Sequence, residues 1–454
     1  MFDQENRQRL RVAVIGTGVS GISAAWLISQ RHDVTVFEKN PSIGGHCNTV
    51  DAVYKGGGRE HVIPVDTGFI VYNEKTYPNL TALFRHQCID TEMSDMSFSA
   101  SVDNGKFEYS GYSLRTMIAQ KRNLVRPRFW NMVWDIMRFF REVAADADLP
   151  ANRRLSLGAY LAANGYSEAF LRDYLLPLGS AIWSASLKDM RAYPLEAFVR
   201  FFKNHGLLEA KQKNRPQWRT VTGGSRTYVR KLTSSFADRI RLNCGVRALA
   251  RHATHVDVTL ADGSVERFDQ VVVAAHSDQA LAMLTDPSPA EQRLLGAIRY
   301  ERNHAILHTD ASLMPKRRKA WASWNYISAA KDADSRLVCL TYWMNLLQNI
   351  ERCFPLFVTL NPHRAPKEGT VLASFDYEHP IFDHAALDAQ QQLWTLQGAK
   401  RTWYCGAYFG HGFHEDGLQA GLAVGEAVSG DRRPWTVEGE SNRIHIASNL
   451  EDVA

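Results

Sequence analysis

Three glycines in Gly-x-Gly-x-x-Gly spacing, Gly16, Gly18 and Gly21, lie between the apolar run Arg11 to Ile15 and the start of a helical pattern. Nothing else in the chain restricts its fold as much. The stretch Arg11 to Val50 reads strand, glycine turn, helix, strand, the opening unit of a parallel α/β sheet. Gly16 allows a tight turn, Gly18 lets a pyrophosphate approach the backbone, and Gly21, backed by Ala24 and Ala25, lets the helix pack on the strand. The helix start then offers free N–H groups and the positive end of its dipole. A second apolar run, Val34 to Phe37, ends at Glu38. A carboxylate there accepts the hydroxyl hydrogens of an adenosine ribose and disfavours a 2′-phosphate. A dinucleotide is the expected ligand.

At 454 residues the chain has room for two or three domains, and its 45% hydrophobic content suits large cores. The net charge of +5 is too small, without a clustered patch, to indicate nucleic acid. Cysteines at 47, 88, 244, 339, 353 and 405 show no metal-ligand spacing, so no metal site is expected and reduced, cytoplasmic thiols are. The polar first ten residues run straight into the first strand, and no apolar run reaches the ~18 residues of a membrane span. Any membrane contact is expected to be peripheral, at the inner face.

Beyond the opening unit, Ser99 to Gly111 reads as a hairpin with a type I′ turn at Asn104-Gly105, part of a second sheet. Leu114 to about Asp148 turns helical, with Phe129, Trp130, Val133, Trp134, Met137 and Phe140 on one stripe and cations from Lys121 to Arg141 around it. That pattern fits an interfacial anchor or a core-facing helix. Helices are expected at Ser156 to Ala162, Glu168 to Leu176 and Pro194 to Asn204, with a break at Pro177-Leu178-Gly179. A Gly-Gly-Ser turn near Ser225 and the strands up to Ala275 return to the first domain; His304 to His308, Leu337 to Met344, Phe357 to Leu360 and Val371 to Phe375 extend the second sheet. Lys316 to Lys319 before Trp321 and Trp324 form a second surface suited to anionic headgroups, or a solvated loop. Last, the strand Trp403 to Cys405 meets Gly406, and after a Gly/His-rich loop Asp416-Gly417 opens another helix.

Ile43-Gly44-Gly45-His46 follows Glu38 and Lys39, then Val65-Asp66-Thr67-Gly68-Phe69, and the chain closes on the strand, loop and helix after Gly406. This combination resembles the flavin amine oxidase and phytoene desaturase superfamily, and His46 stands where that family usually has arginine. The resemblance implies FAD, held by Gly16, Gly18, Gly21, Glu38, Lys39, Gly44, Gly45, His46, Asp66, Thr67, Gly68, Val246, Gly406, Asp416 and Gly417. It also implies an α/β fold, a Rossmann-type FAD-binding domain (9–72, 215–285 and 395–432) interleaved with an α+β substrate domain (73–214 and 286–394) of mixed sheet plus helices. A C-terminal tail spans 433–454. The loop Gly410 to Gly417 is similar to one in bacterial FAD-binding proteins associated with cyclopropane fatty acid synthases and in the flavoprotein-like domain of plant cyclopropane synthases. Supporting pieces are Asp95 to Phe98, Ala181 to Ser184, Asn204 to Gly206 and Ser323 to Tyr326. These likenesses imply a lipid or fatty acyl substrate, dehydrogenated by hydride transfer to flavin, and a cyclopropane-synthase-like methyltransferase as a partner. His411, His414 and Glu415 are the candidates for the accompanying proton. Leu418, where monoamine oxidases place an aromatic cage residue, suits a hydrocarbon. An amine oxidase, a double-bond isomerase and a non-enzymatic lipid-binding flavoprotein remain as alternatives.

Overall fold

The computed structural model describes residues 9–56, 59–111, 114–209, 215–328 and 338–446. The first eight residues, the last eight and Leu337, where one expected strand begins, lie outside the described residues.

A five-stranded parallel sheet runs in the order Ile240–Arg241, Asp33–Phe37, Arg11–Ile15, Gln270–Val273 and Thr402–Tyr404. Its central strands are covered on both faces, which is why Val12 to Val14 and Val271 to Val273 read as unbroken apolar runs. The helix Val19–Ile28 is buried along its whole length beneath the closing helix His414–Ser429. Small residues allow that approach: a Cβ at Gly421 would stand 2.2 Å from the Ser20 carbonyl oxygen. Small antiparallel units surround the sheet, a Thr49–Gly56/Arg59–Asp66 hairpin and a three-stranded meander over Val246–Phe268.

The second sheet has seven strands in the order Val371–Ile381, Arg299–His308, Phe357–Leu360, Cys339–Trp343, Trp324–Ile327, Phe98–Val102 and Phe107–Ser110. All pairs are antiparallel except Trp324–Ile327 with Phe98–Val102, so the sheet is mixed. The hairpin turn spans residues 103–106, with Lys106 N–H donating to Asp103 C=O; Asp103 has positive φ as well as Asn104 and Gly105, so the turn is longer than the expected two-residue I′ form.

The helical part departs from expectation in two places. The segment after Leu114 is broken into a short helix, a 3₁₀ turn at Lys121–Val125 and the long helix Pro127–Asp146. Pro177 does not end its helix. A π-type turn at Leu171–Leu175 runs straight into Leu176–Trp183, and that wide turn shifts the hydrogen-bond register where Pro177 supplies no N–H. The chain end, read as a tail, is docked as far as residue 446. Arg433 is fully buried against Glu426 at 2.7 Å, and Trp435 stacks on Trp26.

Candidate functional site

A cavity of about 1310 Å³ runs from the glycine turn to the second sheet and the helices beside it. At the turn, its wall is bare backbone. A Cβ on Gly18 would meet nothing within 4 Å, whereas one on Gly16 would press to 2.6 Å from the Ala274 carbonyl oxygen and one on Gly21 to 2.0 Å from that of Gly16. Gly21 therefore seats the helix and does not itself line the cavity, while Gly16 and Gly18 do. No side chain caps the Val19–Ile28 helix, and no acid sits in its first turn, so its amide groups are left for an anion. Glu38 borders the same end and is buried. Its carboxylate accepts the Asn40 and Thr17 amide N–H groups at 2.9 and 3.0 Å and the Thr17 hydroxyl, which fixes its orientation. Lys39, Gly44, Gly45, His46, Gly68, Val246 and Gly406 also line the cavity.

His46 Nε2 is buried there without a partner among the described residues. Burial and the neighbouring His379 hold its pKa well below the usual histidine value, so the ring is a neutral hydrogen-bonding group. The bare backbone at Gly18, the uncapped helix and this orphaned nitrogen all fit an elongated diphosphate cofactor such as FAD.

Other expected cofactor contacts are structural. Asp66 is buried off the cavity and accepts hydrogen bonds from the Ser225 amide and hydroxyl, the Thr49 hydroxyl and Gln348. It ties the Gly-Gly-Ser turn to the hairpin. Thr67 is buried behind Tyr377, whose hydroxyl lies 2.7 Å from Thr67 Oγ1. Asp416 accepts the Phe413 N–H at 2.8 Å and pairs with Arg443 at 3.2 Å, ordering the start of the closing helix. Gly417 makes room for Ser20 and Val19. Leu418 is fully buried away from the cavity, so it forms no wall for substrate; Phe413 and Tyr408 do.

The three proton candidates separate in the same way. Glu415 is fully buried and accepts the Asn79 and Leu80 amide N–H groups, both at 3.0 Å, at the start of the Pro78–His86 helix, so the cavity is closed to it. His414 lines the cavity, stacks on Phe69 and lies 2.6 Å from the Tyr228 hydroxyl through Nε2; burial lowers its pKa to about 3. Its ring is neutral and already engaged. His411 lines the cavity with no such partner for its imidazole, and burial lowers its pKa while Asp416 opposes the shift.

Four scattered stretches, Asp95 to Phe98, Ala181 to Ser184, Asn204 to Gly206 and Ser323 to Tyr326, each supply residues to the lining of this cavity. Trp183 and Trp324 border it with buried indole N–H groups lacking partners among the described residues. Sequence reasoning missed Tyr377, Glu378 and His379, which line the cavity, and His276, whose Nδ1 lies 3.3 Å from Glu378. The signal was present: Phe375, Tyr377 and His379 continue a period-two alternation beyond the expected end of that strand, which the structure extends to Ile381.

This fold and cofactor cradle define an FAD-dependent oxidoreductase. The family model "Flavin containing amine oxidoreductase" matches residues 19–345, and the chain belongs to that family. Among solved structures it is similar to cyclohexylamine oxidase from Brevibacterium oxydans (TM-score 0.67, 14% identity, 93% of this chain and 99% of that one). It is likewise similar to a CLA-producing fatty acid isomerase from P. acnes (TM-score 0.64, 14% identity, 94% and 99%). Over 40 residues it is 55% identical to the 4,4′-diapophytoene desaturase of Staphylococcus aureus, a match spanning 9% of this chain and 8% of that protein.

Two expectations follow from this geometry. Glu38→Ala removes a buried charged acceptor and should weaken FAD binding by ~1 to 3 kcal/mol; flavin retained at wild-type level after gel filtration would take Glu38 out of the site. The second concerns acid stability. His205, His379 and His414 have pKa values lowered to about 3, 4 and 3, chiefly by burial, and His46 is lowered too. The unfolded chain takes up their protons near pH 6.5 and the folded chain does not, so stability present above that pH falls as pH drops toward 4, by ~1.4 kcal/mol per unit for a fully shifted group. Asp66, raised by burial to about 6, and Asp173, Glu301 and Glu415, raised as well, act in the opposite sense, but the lowered histidines, His308 at about 4 among them, outnumber them. Scanning calorimetry of the holoprotein should show Tm dropping steadily from pH 7 to 5, and a flat profile would refute this.

Proposed function

We propose that the protein dehydrogenates a lipid acyl chain. The observation that carries this reading is the shape and lining of the cavity. Its volume exceeds the ~300 to 1,000 Å³ of a usual small-molecule site, leaving space for a second ligand beside the cofactor. The helical side of that space is formed by Tyr174, Leu178, Ile182, Trp183 and Phe201 and is apolar, while the carboxylates of the lining other than Glu38 are engaged elsewhere, Asp376 by Arg302, Glu378 by His276 and Asp95 by the Ser97 and Ser323 hydroxyls. Bound FAD supplies the hydride acceptor. The chain's own residues bind and orient the apolar ligand, keep water out, and take the proton, a task we assign to His411 because its neutral imidazole borders the cavity without a hydrogen-bonded partner among the described residues. The likeness of the Gly410 to Gly417 loop to proteins associated with cyclopropane fatty acid synthases makes a methyltransferase-modified chain our preferred substrate.

The test is anaerobic addition of phospholipid with methyl-branched or monounsaturated chains to the holoenzyme. Bleaching of the flavin with a new double bond in the lipid is the expected result. A double bond moved with no net bleaching identifies an isomerase; bleaching by amines alone identifies an amine oxidase.

Peripheral membrane contact is part of this proposal. Among the described residues, no helix is long and apolar enough to cross a membrane. The Pro127–Asp146 helix buries Phe129, Met132, Ile136 and Phe139 and leaves Trp130, Trp134 and Met137 at least half exposed, next to Val125 at 83%. An exposed apolar strip of this kind fits an interface. The Lys316 to Trp324 loop offers less than its sequence promised: Trp321 packs on Trp343, Trp324 faces the cavity, and Arg317 pairs with buried Glu108. Trp130→Ser combined with Trp134→Ser should reduce co-sedimentation with anionic vesicles by roughly tenfold or more without loss of FAD, and equal pelleting would assign the strip another role.

A further inference from the structure

Behind the closing loop lies a second, polar crevice of about 930 Å³, and His411 is a wall of both it and the main cavity. Six cations from four parts of the chain converge on it: Lys75, Arg153, Arg154, Arg200, Lys203 and Arg443. Only three carboxylates, Glu196, Asp388 and Glu438, share the lining. Two of these are taken, by an Arg200–Glu196 pair and an Arg154–Asp388 pair at 3.0 Å, and Arg443 is held by Asp416. Lys75, Arg153 and Lys203 are left with no acidic partner among the described residues. The surplus is felt locally, since Arg200 and Arg443 help to lower the pKa of His411 and Arg200 that of His445.

Positive charge gathered in a concavity repels itself, and Lys75, Arg153, Arg154, Arg200 and Lys203 are all exposed, so the crevice presents this charge to a ligand from solvent. A concave basic surface concentrates anions. Guanidinium forks and lysine ammonium groups together match a phosphate, which offers several acceptor oxygens and more than one charge. Gln390, also in the crevice lining, donates to the Tyr408 and Gly410 carbonyl groups, so an occupant would lie against the residue that holds the closing loop.

We propose that this crevice binds the phosphate of a ligand separately from the FAD cradle. The site stands on its own charges; only a phospholipid headgroup as the source of that phosphate rests on the acyl-chain reading, the other source being a soluble phosphate compound. The test uses holoenzyme, whose cradle is filled, with inorganic pyrophosphate and with dihexanoyl phosphatidylglycerol as probes in low-salt calorimetry. The variant Lys75→Gln/Arg153→Gln/Lys203→Gln touches none of the residues placed at FAD or at the proton. Wild type should bind, with affinity falling as salt rises, and the variant should bind about tenfold or more weakly at unchanged flavin content and Tm. Loss of pyrophosphate binding alone would support a site for a soluble phosphate compound. Loss of phosphatidylglycerol binding as well supports the headgroup, and if phosphatidylglycerols carrying methyl-branched or monounsaturated chains then bleach no flavin, the crevice stands while the dehydrogenation reading fails. Variant binding equal to wild type for both probes, or no binding of either by wild type, overturns the proposal.

Discussion

Gly18→Asp should yield a folded, colourless protein. A Cβ at residue 18 meets no atom within 4 Å, and Gly18 has φ −62°, so the backbone accepts a side chain there without strain. Aspartate is also a favoured helix N-cap, and this helix start has no side-chain cap, so the substitution should leave stability unchanged or raise it by up to ~1 kcal/mol. The same carboxylate would occupy the amide groups and the positive dipole end that a pyrophosphate needs, and would repel its charge. Loss of charge-assisted hydrogen bonds plus repulsion should exceed ~3 kcal/mol, a fall in FAD affinity of more than a hundredfold. Flavin absorbance of the purified variant, set beside its circular dichroism, measures both halves of the expectation. A yellow variant would move the pyrophosphate away from this turn.

Leu178→Glu should have the opposite signature, full flavin content with little or no reduction by lipid. Leu178 sits on the helical wall of the cavity and is only partly buried, so a carboxylate there need not enter a packed core. An apolar chain laid against that wall would instead have to desolvate an unpaired charge, at a cost of several kcal/mol. The anaerobic bleaching rate at fixed lipid should drop at least about a hundredfold, with the rate for a small amine, if any, changed much less. An unchanged lipid rate would mean that the chain lies elsewhere in the cavity, and with it the proposed substrate class would lose its main support.

The opening unit was legible because its physics is local. Turn, helix start and acceptor lie within the 28 residues from Arg11 to Glu38, and most of what they require is local: Gly16 takes the positive φ of the tight turn, Gly21 packs on the Gly16 carbonyl, and Glu38 follows directly on the second strand. The hairpin about Asn104-Gly105 was readable for the same reason. Short resemblances also worked, although they could say only that Met96, Trp183, His205 and Trp324 mattered. Their meeting around one cavity is a product of chain folding.

The closing loop shows where local reading stops. His411, Phe413, His414, Glu415 and Asp416 are near neighbours in sequence, and nothing in their order separates ligand contacts from scaffold. A helix turns ~100° per residue, so once His414 faces the cavity, Glu415 and Asp416 must point elsewhere. Where they point is set by partners far along the chain: Glu415 by the Asn79 and Leu80 amide groups, Asp416 by Arg443. Sequence alone thus determined the FAD fold and the class of chemistry, because contiguous backbone makes the cradle. Only tertiary structure decided which of the two cavity histidines keeps its ring unengaged, which acids are buried caps, and that unpaired cations gather behind the loop, because side-chain direction and charge pairing depend on residues brought together from separate parts of the chain, some more than 300 positions apart.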